Sequence, residues 1–136
     1  MEKLYECLKQ KKINNSRARE VIYDVLCDSK ECMSVSAISN EANARYPKKI
    51  SLNTIYRHLG LFIECKLAVM VQDDYKRAFY CLADKETMLF SICPTCNRLA
   101  KQVVSEHQRE HINQLVTEGS VCQFITLHEY CKRCGK

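Results

Sequence analysis

The sequence predicts an α+β protein in two parts: a winged helix-turn-helix, then a small α/β unit with a four-cysteine zinc site. Three observations predict it. Three helix-period segments follow one another over 16–66, and a strand–turn–strand pattern comes next at 67–82. Two CxxC pairs, "CPTC" at 93–96 and "CKRC" at 131–134, then bracket the remainder. The order of three helices and a hairpin is that of a winged helix-turn-helix, with the third helix entering the major groove and the hairpin as the wing beside it.

Each element has its own signal. "LYECLK" reads as a short leading helix. In "SRAREVIYDVLCD" (16–28), Ala18, Val21, Ile22, Val25 and Leu26 recur at helical spacing, and Ser16 is a candidate N-cap. "SVSAISNEANARYP" (34–47) gives a second helix, capped by Ser34 or Ser36 and stopped before Pro47. "SLNTIYRHLGLFIECK" (51–66) gives the third, with Leu52, Ile55, Leu59, Phe62 and Ile63 as its apolar stripe. Asn53, Thr54, Arg57 and His58 are expected largely off that stripe. "LAVMVQ" and "RAFYCL" flank the turn "DDYK" (73–76) as a hairpin. "ADKE" (83–86) is a polar hinge. The domains expected are therefore 1–82, a hinge at 83–86, and 87–136.

In the second part, "MLFSI" (88–92) and "LAKQVV" (99–104) read as strands around the first CxxC. "SEHQREHINQLVTEG" (105–119) reads as a helix, with a capping box from Ser105 and Gln108 and a stop at Gly119. "VCQFITLHEY" (121–130) is a strand running into the second CxxC.

Charge and composition narrow the classes. Net charge is +5, and residues 1–82 hold most of it, with 14 Lys+Arg against 10 Asp+Glu. That balance is compatible with nucleic acid without requiring it. The first residues, "MEKLYECLKQKK", are charged from position 2 and do not read as a signal peptide. No stretch approaches 18 apolar residues, so no membrane partner is expected. Those features point to a reducing, cytoplasmic compartment, where structural disulfides are rare and paired CxxC motifs bind metal.

Ten cysteines in 136 residues then need a use. Cys93, Cys96, Cys131 and Cys134 form CxxC–x34–CxxC. A two-residue spacer lets both thiolates of a pair face one ion, and four thiolates at about 2.3 Å close a tetrahedral zinc shell with no open position. Such a site is structural, one zinc per subunit, and staples a part of the chain too short to build a large core. A thioredoxin-like dithiol at Cys93 and Cys96 is the redox alternative; it needs a helix N-terminus in a βαβ setting, and here the motif falls between two strands. A disulfide-linked surface pair is a further alternative.

These residues together resemble a family. "SLNTIYRHL" is similar to the recognition-helix pattern SLATVYRTL of ferric uptake regulator (Fur) proteins. Ser16, Arg19 and the following "EVIYDVL" resemble that family's first core helix, and the two CxxC pairs match its structural zinc site in place and spacing. The resemblance covers essentially the whole chain. It implies a homodimeric transcription regulator, not an enzyme, paired through its C-terminal half and bound to an AT-rich palindromic operator in double-stranded DNA. It further implies that Tyr56 packs on thymine methyls and Arg57 contacts base or backbone, with Arg19 matching an arginine of the first core helix. Ser51, Asn53 and Thr54 stand at a helix N-terminus, where polar side chains and free N–H groups meet phosphates. His58 is a candidate for base or phosphate contact. Lys76 and Arg77 on the wing, Lys48 and Lys49 before the helix, and Lys9, Lys11 and Lys12 are candidate phosphate contacts.

The resemblance breaks at the sensing site. Family members carry histidines just before the first CxxC, in the manner of HHxHLIC, where this chain has "ETMLFSIC". Gln123 stands where a ligand histidine is expected, and Gln108 or Glu106 where an acidic ligand is expected. Cys81 matches a ligand of the family's zinc-sensing branch, but the accompanying histidine is Met70, and Met88 lies where the hinge histidine belongs. Three readings stay open: no metal sensing; a second, regulatory metal at Cys81, His107 and His111, the last two spaced i, i+4 on one helix; or a thiol sensor. For the last, Cys32 in "DSKECMS" is expected to be the exposed thiol, whereas Cys27 and Cys122 are expected to pack. The alternatives of another class are a redox-active dithiol protein and a zinc-ribbon interaction module that does not bind DNA.

Overall fold

The computed structural model describes residues 1–135 and divides them into two compact units. One comprises residues 1–72 and 76–83; the other comprises 73–75 and the chain from 84 onward.

The N-terminal unit begins with α1 (Glu2–Lys11), which ends at Lys12 in a left-handed turn. Next come α2 (Arg17–Asp28), a two-residue strand β1 (Met33–Ser34), α3 (Val35–Arg45) and α4 (Leu52–Glu64). Ser16, Ser34 and Ser51 cap α2, α3 and α4, each accepting from the backbone N–H three residues on. Strands β2 (Ala68–Gln72) and β3 (Ala78–Leu82) form the expected antiparallel hairpin, and β1 pairs with the outer side of β3. At two residues β1 is too short to leave an alternation signal, so the sequence pattern missed it. Three helices over this small sheet make the winged-helix arrangement. Val21, Ile22, Val25 and Leu26 of α2, Ile38 and Ala42 of α3, and Ile55, Leu59 and Phe62 of α4 share one core. Tyr23 packs edge-on to Phe62, with ring centroids 5.4 Å apart.

The apolar stripe of α4 differs from expectation. Ile55, His58, Leu59 and Phe62 are buried, whereas Leu52 and Ile63 are exposed. Positions 55, 58, 59 and 62 are i, i+3, i+4 and i+7, the full periodic stripe, and His58 occupies the place an apolar residue would take.

The C-terminal unit contains β4 (Met88–Ile92), β5 (Leu99–Lys101), α5 (Glu106–Leu115) and β6 (Phe124–His128). The strand order is β5-β4-β6, with β4 antiparallel to β5 and parallel to β6. A parallel pair needs a crossover, and α5 supplies it. The capping box of Ser105 and Gln108 is present, but α5 ends at Leu115 and not at Gly119. Val116 already has extended backbone, and Gly119, at φ 82°, serves the following turn. Met88, Phe90, Ile92 and Ile112 form the small core, with Phe90 edge-on to Phe124. Among the described residues no helix is long and apolar enough to cross a membrane.

Candidate metal centre and nucleic-acid surface

The sulfurs of Cys93, Cys96, Cys131 and Cys134 all lie within 4.8 Å of one another, and Cys96 and Cys131 sulfurs are 3.7 Å apart. A tetrahedron with metal–sulfur bonds of about 2.3 Å has edges of about 3.8 Å, so the spacing suits one zinc. Each pair sits on a tight turn. Cys93 O accepts from Asn97 N at 2.8 Å, and Cys131 O accepts from Cys134 N and Gly135 N at 3.0 and 2.8 Å. Asn97, at φ 61°, turns the chain so that Cys93 N can donate to Arg98 O at 3.1 Å. The buried amide of Asn97 also donates to the Asp73 carboxylate at 3.0 Å, within the same unit.

The electrostatics suit a cation. Backbone N–H groups, that of Cys131 first, lower the Cys93 thiol to about 6, and the Cys134 N–H lowers Cys131. Cys134 is pushed up to about 12, chiefly by the Cys131 side chain. The thiolate form is thus favoured at Cys93 and Cys131 and disfavoured at Cys134. A divalent cation takes all four as thiolates. A dithiol role for "CPTC" fails on position: it links β4 to β5 and begins no helix.

On the N-terminal unit, α4 presents a polar, partly aromatic face. Tyr56 is 52% exposed, and Asn53 and Arg57 are exposed. Ser51 Oγ accepts from Thr54 N at 3.2 Å and bonds Thr54 Oγ1 at 2.9 Å, which secures the first turn. Asn43 sets the entry to the helix: its Oδ1 accepts from Ile50 N at 2.7 Å, and its Nδ2 donates to Ser39 O at 2.9 Å. A cleft of about 650 Å³ in front of this turn is lined by Ser36, Ser39, Asn40, Asn43, Ser51 and Asn53. Lys48, Lys49, Lys76 and Arg77 are all exposed.

His58 corrects an expectation. At 3% exposure its ring cannot reach a base or a phosphate. Its Nδ1 accepts from Arg19 Nε at 3.2 Å, and Arg19 Nη1 donates to Asn14 O at 2.7 Å. Burial, then the charges of Arg19 and Arg57, lower His58 to about 4. The neutral ring therefore holds the Arg19 side chain. Burial, then the like charge of Arg57, lowers Arg19 from its ordinary value. The signal for His58 was present in its i+3 spacing from Ile55.

Of the residues expected at a second metal site, Cys81 belongs to the N-terminal unit and His107 and His111 to the C-terminal unit. Among the described residues, the four cysteines are the one group of three or more His, Cys, Asp or Glu able to share an ion. Cys81 is buried on β3 opposite Val69, so it faces away from Met70. His107 and His111 are exposed, their rings stacked edge-on at 4.6 Å, and His111 Nδ1 lies 2.9 Å from His107 O. Gln108 spends its side chain on the capping box. Met88 is a core residue of β4. The cysteine expectations also change: Cys27 is exposed, Cys32 and Cys122 are half-buried, and Cys7 and Cys65 are joined as a disulfide. The pattern missed that bond because 58 residues separate the partners in sequence.

Residues 10–127 match the model of the ferric uptake regulator family. This chain belongs to that family. Its members are transcription regulators, not enzymes. The fold resembles the Helicobacter pylori ferric uptake regulator Fur at a TM-score of 0.76 and 22% identity, covering 99% of this chain and 91% of that one. It also resembles the Pseudomonas aeruginosa ferric uptake regulator with manganese, at 0.75 and 20% identity, covering 97% and 99%. A zinc uptake regulator complexed with zinc and DNA matches at 0.57 and 15% identity, covering 96% and 89%. A search of curated proteins finds no match.

Proposed function

We propose that this member of the ferric uptake regulator family acts in the cytoplasm as a homodimer on AT-rich palindromic operators, with one structural zinc per subunit and no metal-sensing site of the usual composition. The observation that carries the reading is the outer face of α4. Tyr56 and Arg57 project from a helix whose buried side is fully committed to the core, and Arg19, held by His58, stands near enough for Arg57 to act on its charge. Tyr56 offers a flat apolar ring for thymine methyls, and the two arginines offer charge-assisted bonds to phosphate or guanine. Ser51, Asn53 and Thr54 supply the helix N-terminus to a phosphate; Lys76 and Arg77 extend the basic surface onto the wing.

Dimer formation is supported by the C-terminal unit. Val103 and Val121 are 96% and 97% exposed and Leu115 is 77% exposed, with Leu127 and Tyr130 also exposed. Strands β5 and β6 are both sheet edges. Apolar side chains and open edges on one small unit suit a second copy.

The test is a mobility-shift titration of the zinc-loaded protein on an AT-rich palindrome against a scrambled duplex of equal composition, at several salt concentrations. Specific binding should be about 10³-fold or more tighter than to the scrambled duplex, falling steeply with salt. Arg57→Ala and Tyr56→Ala should each cost about 1–3 kcal/mol. Equal binding to both duplexes would contradict the reading. Chelator-treated, iron-, manganese-, zinc- and copper-supplemented samples in the same assay address sensing: added metal should leave the affinity unchanged once the four-cysteine site is filled.

A further inference from the structure

In the N-terminal unit, Cys7 and Cys65 are joined, with Cα atoms 6.0 Å apart. Cys7 lies midway along α1, and Cys65 is the C-cap of α4, the helix with the proposed DNA face. Both are half-buried, and an open cleft of about 470 Å³ reaches them. Lys3 and Lys11 line that cleft. They stand four residues before and four after Cys7 on its helix; Glu6 and Glu64 line the same cleft, and Lys11 pairs with Glu64. Of the four helices in this unit α1 has the sparsest contacts. Its docking rests on buried Leu4 and Leu8, a Tyr5–Glu20 hydrogen bond of 3.0 Å, a Lys11–Glu64 ion pair of 3.7 Å, and the sulfur bond.

We infer that Cys7 and Cys65 are a redox modification site, a thiol pair that a hydroperoxide converts to a disulfide and cellular thiols reopen, fixing or releasing α1. On the proposed reading as a DNA regulator the chain works where the thiol pool is reducing, so a solvent-reached disulfide exchanges with that pool and follows its poise. The Cys7 thiolate attacks one oxygen of the peroxide. The O–O bond breaks, and the departing hydroxide takes up a proton to leave as water. The resulting sulfenic acid loses its oxygen as a second water when the Cys65 thiolate attacks the Cys7 sulfur. Two thiols lose two electrons, one hydrogen peroxide gains them, and two waters form. Reduction runs through a mixed disulfide with glutathione; a second glutathione displaces the first and leaves as oxidised glutathione. The oxidised pair closes a loop across 58 residues and ties α1 to the end of α4.

The experiment uses the full-length zinc-loaded protein and needs no DNA, so its outcome is separable from that of the operator assay. One equivalent of hydrogen peroxide is added to the reduced protein, followed by millimolar glutathione. Peptide mapping reads the bond, a chromogenic chelator reads zinc release, and hydrogen exchange reads α1. Expected are a Cys7–Cys65 peptide pair with zinc retained, slowing of exchange at 5–11 by tenfold or more, and reversal by glutathione. The melting temperature of the N-terminal unit should rise by about 10 °C on oxidation. Cys7→Ser and Cys65→Ser should each abolish the bond and the slowing while keeping the far-UV spectrum of the reduced protein. Both thiols remaining free after peroxide, zinc release before bond formation, or a bond that glutathione leaves intact would each overturn the inference.

Discussion

The two units reach stability by different routes. In the N-terminal unit, apolar residues of α1–α4 and the hairpin close one core, and the periodic positions of α4 are buried. In the C-terminal unit, a three-stranded sheet and one helix bury Met88, Phe90, Ile92 and Ile112, while Val103, Leu115 and Val121 stay in solvent. The first unit has core enough to fold on its apolar content. The second brings four cysteine sulfurs together from the β4–β5 turn and the chain after β6, where one metal ion would clamp them. A small unit with a thin core is stabilised by a metal or by a partner, and here the chemistry for both is present. The proposed reading surface thus rests on the larger core, and the proposed pairing surface on the unit that carries the four-cysteine cluster.

The largest expected effect follows from removing the clamp. Cys131→Ser should lose the zinc and the fold of the C-terminal unit together, because structural zinc contributes about 10–16 kcal/mol of apparent binding energy, comparable to the whole stability of a domain. Amide spectra should show collapse of the β4, β5 and β6 resonances with α2–α4 retained. Equal loss in both units would break the comparison. Phe62→Ala makes the opposite cut. It should destabilise the N-terminal unit by about 3–5 kcal/mol in denaturant titration with zinc content unchanged.

A smaller effect is pH-dependent. His58 is neutral in the fold and titrates at about 4, against 6.5 when unfolded. The unfolded chain therefore binds the extra proton first as pH falls. Stability is full above 6.5 and declines as pH drops toward 4, by up to about 3 kcal/mol. Amide exchange of α4 between pH 7 and 4 should show this slope, and His58→Gln, which keeps an acceptor for Arg19, should flatten it. The smallest effect belongs to a cap. Ser105→Ala should cost about 1 kcal/mol and fray the start of α5 without releasing zinc.

Local patterns carried most of the architecture. The helix N-caps at Ser16, Ser34, Ser51 and Ser105, the hairpin, and the four zinc-type cysteines are all written in short-range spacing. Long-range consequences were not. The Cys7–Cys65 bond joins residues that only the packing of α1 brings together. The two-residue strand β1 depends on β3 for its existence. His58 was misplaced because its polarity outweighed its spacing in the reading of α4, although the helix period put it on the buried side. Cys27 follows the last buried residue of α2 and turns to solvent, one position past the stripe. The pairing of Cys81 with Val69, which separates it from Met70, follows from hairpin register and not from its neighbours in sequence.

On the proposed function, a zinc-clamped pairing half presents two copies of the α4 face to one duplex. Selection of bound sites from a random duplex pool by the zinc-loaded protein tests it directly. Enrichment of a two-fold symmetric, AT-rich sequence is expected, lost with Arg57→Ala. Enrichment of an asymmetric site, or no enrichment above the scrambled control, would contradict it.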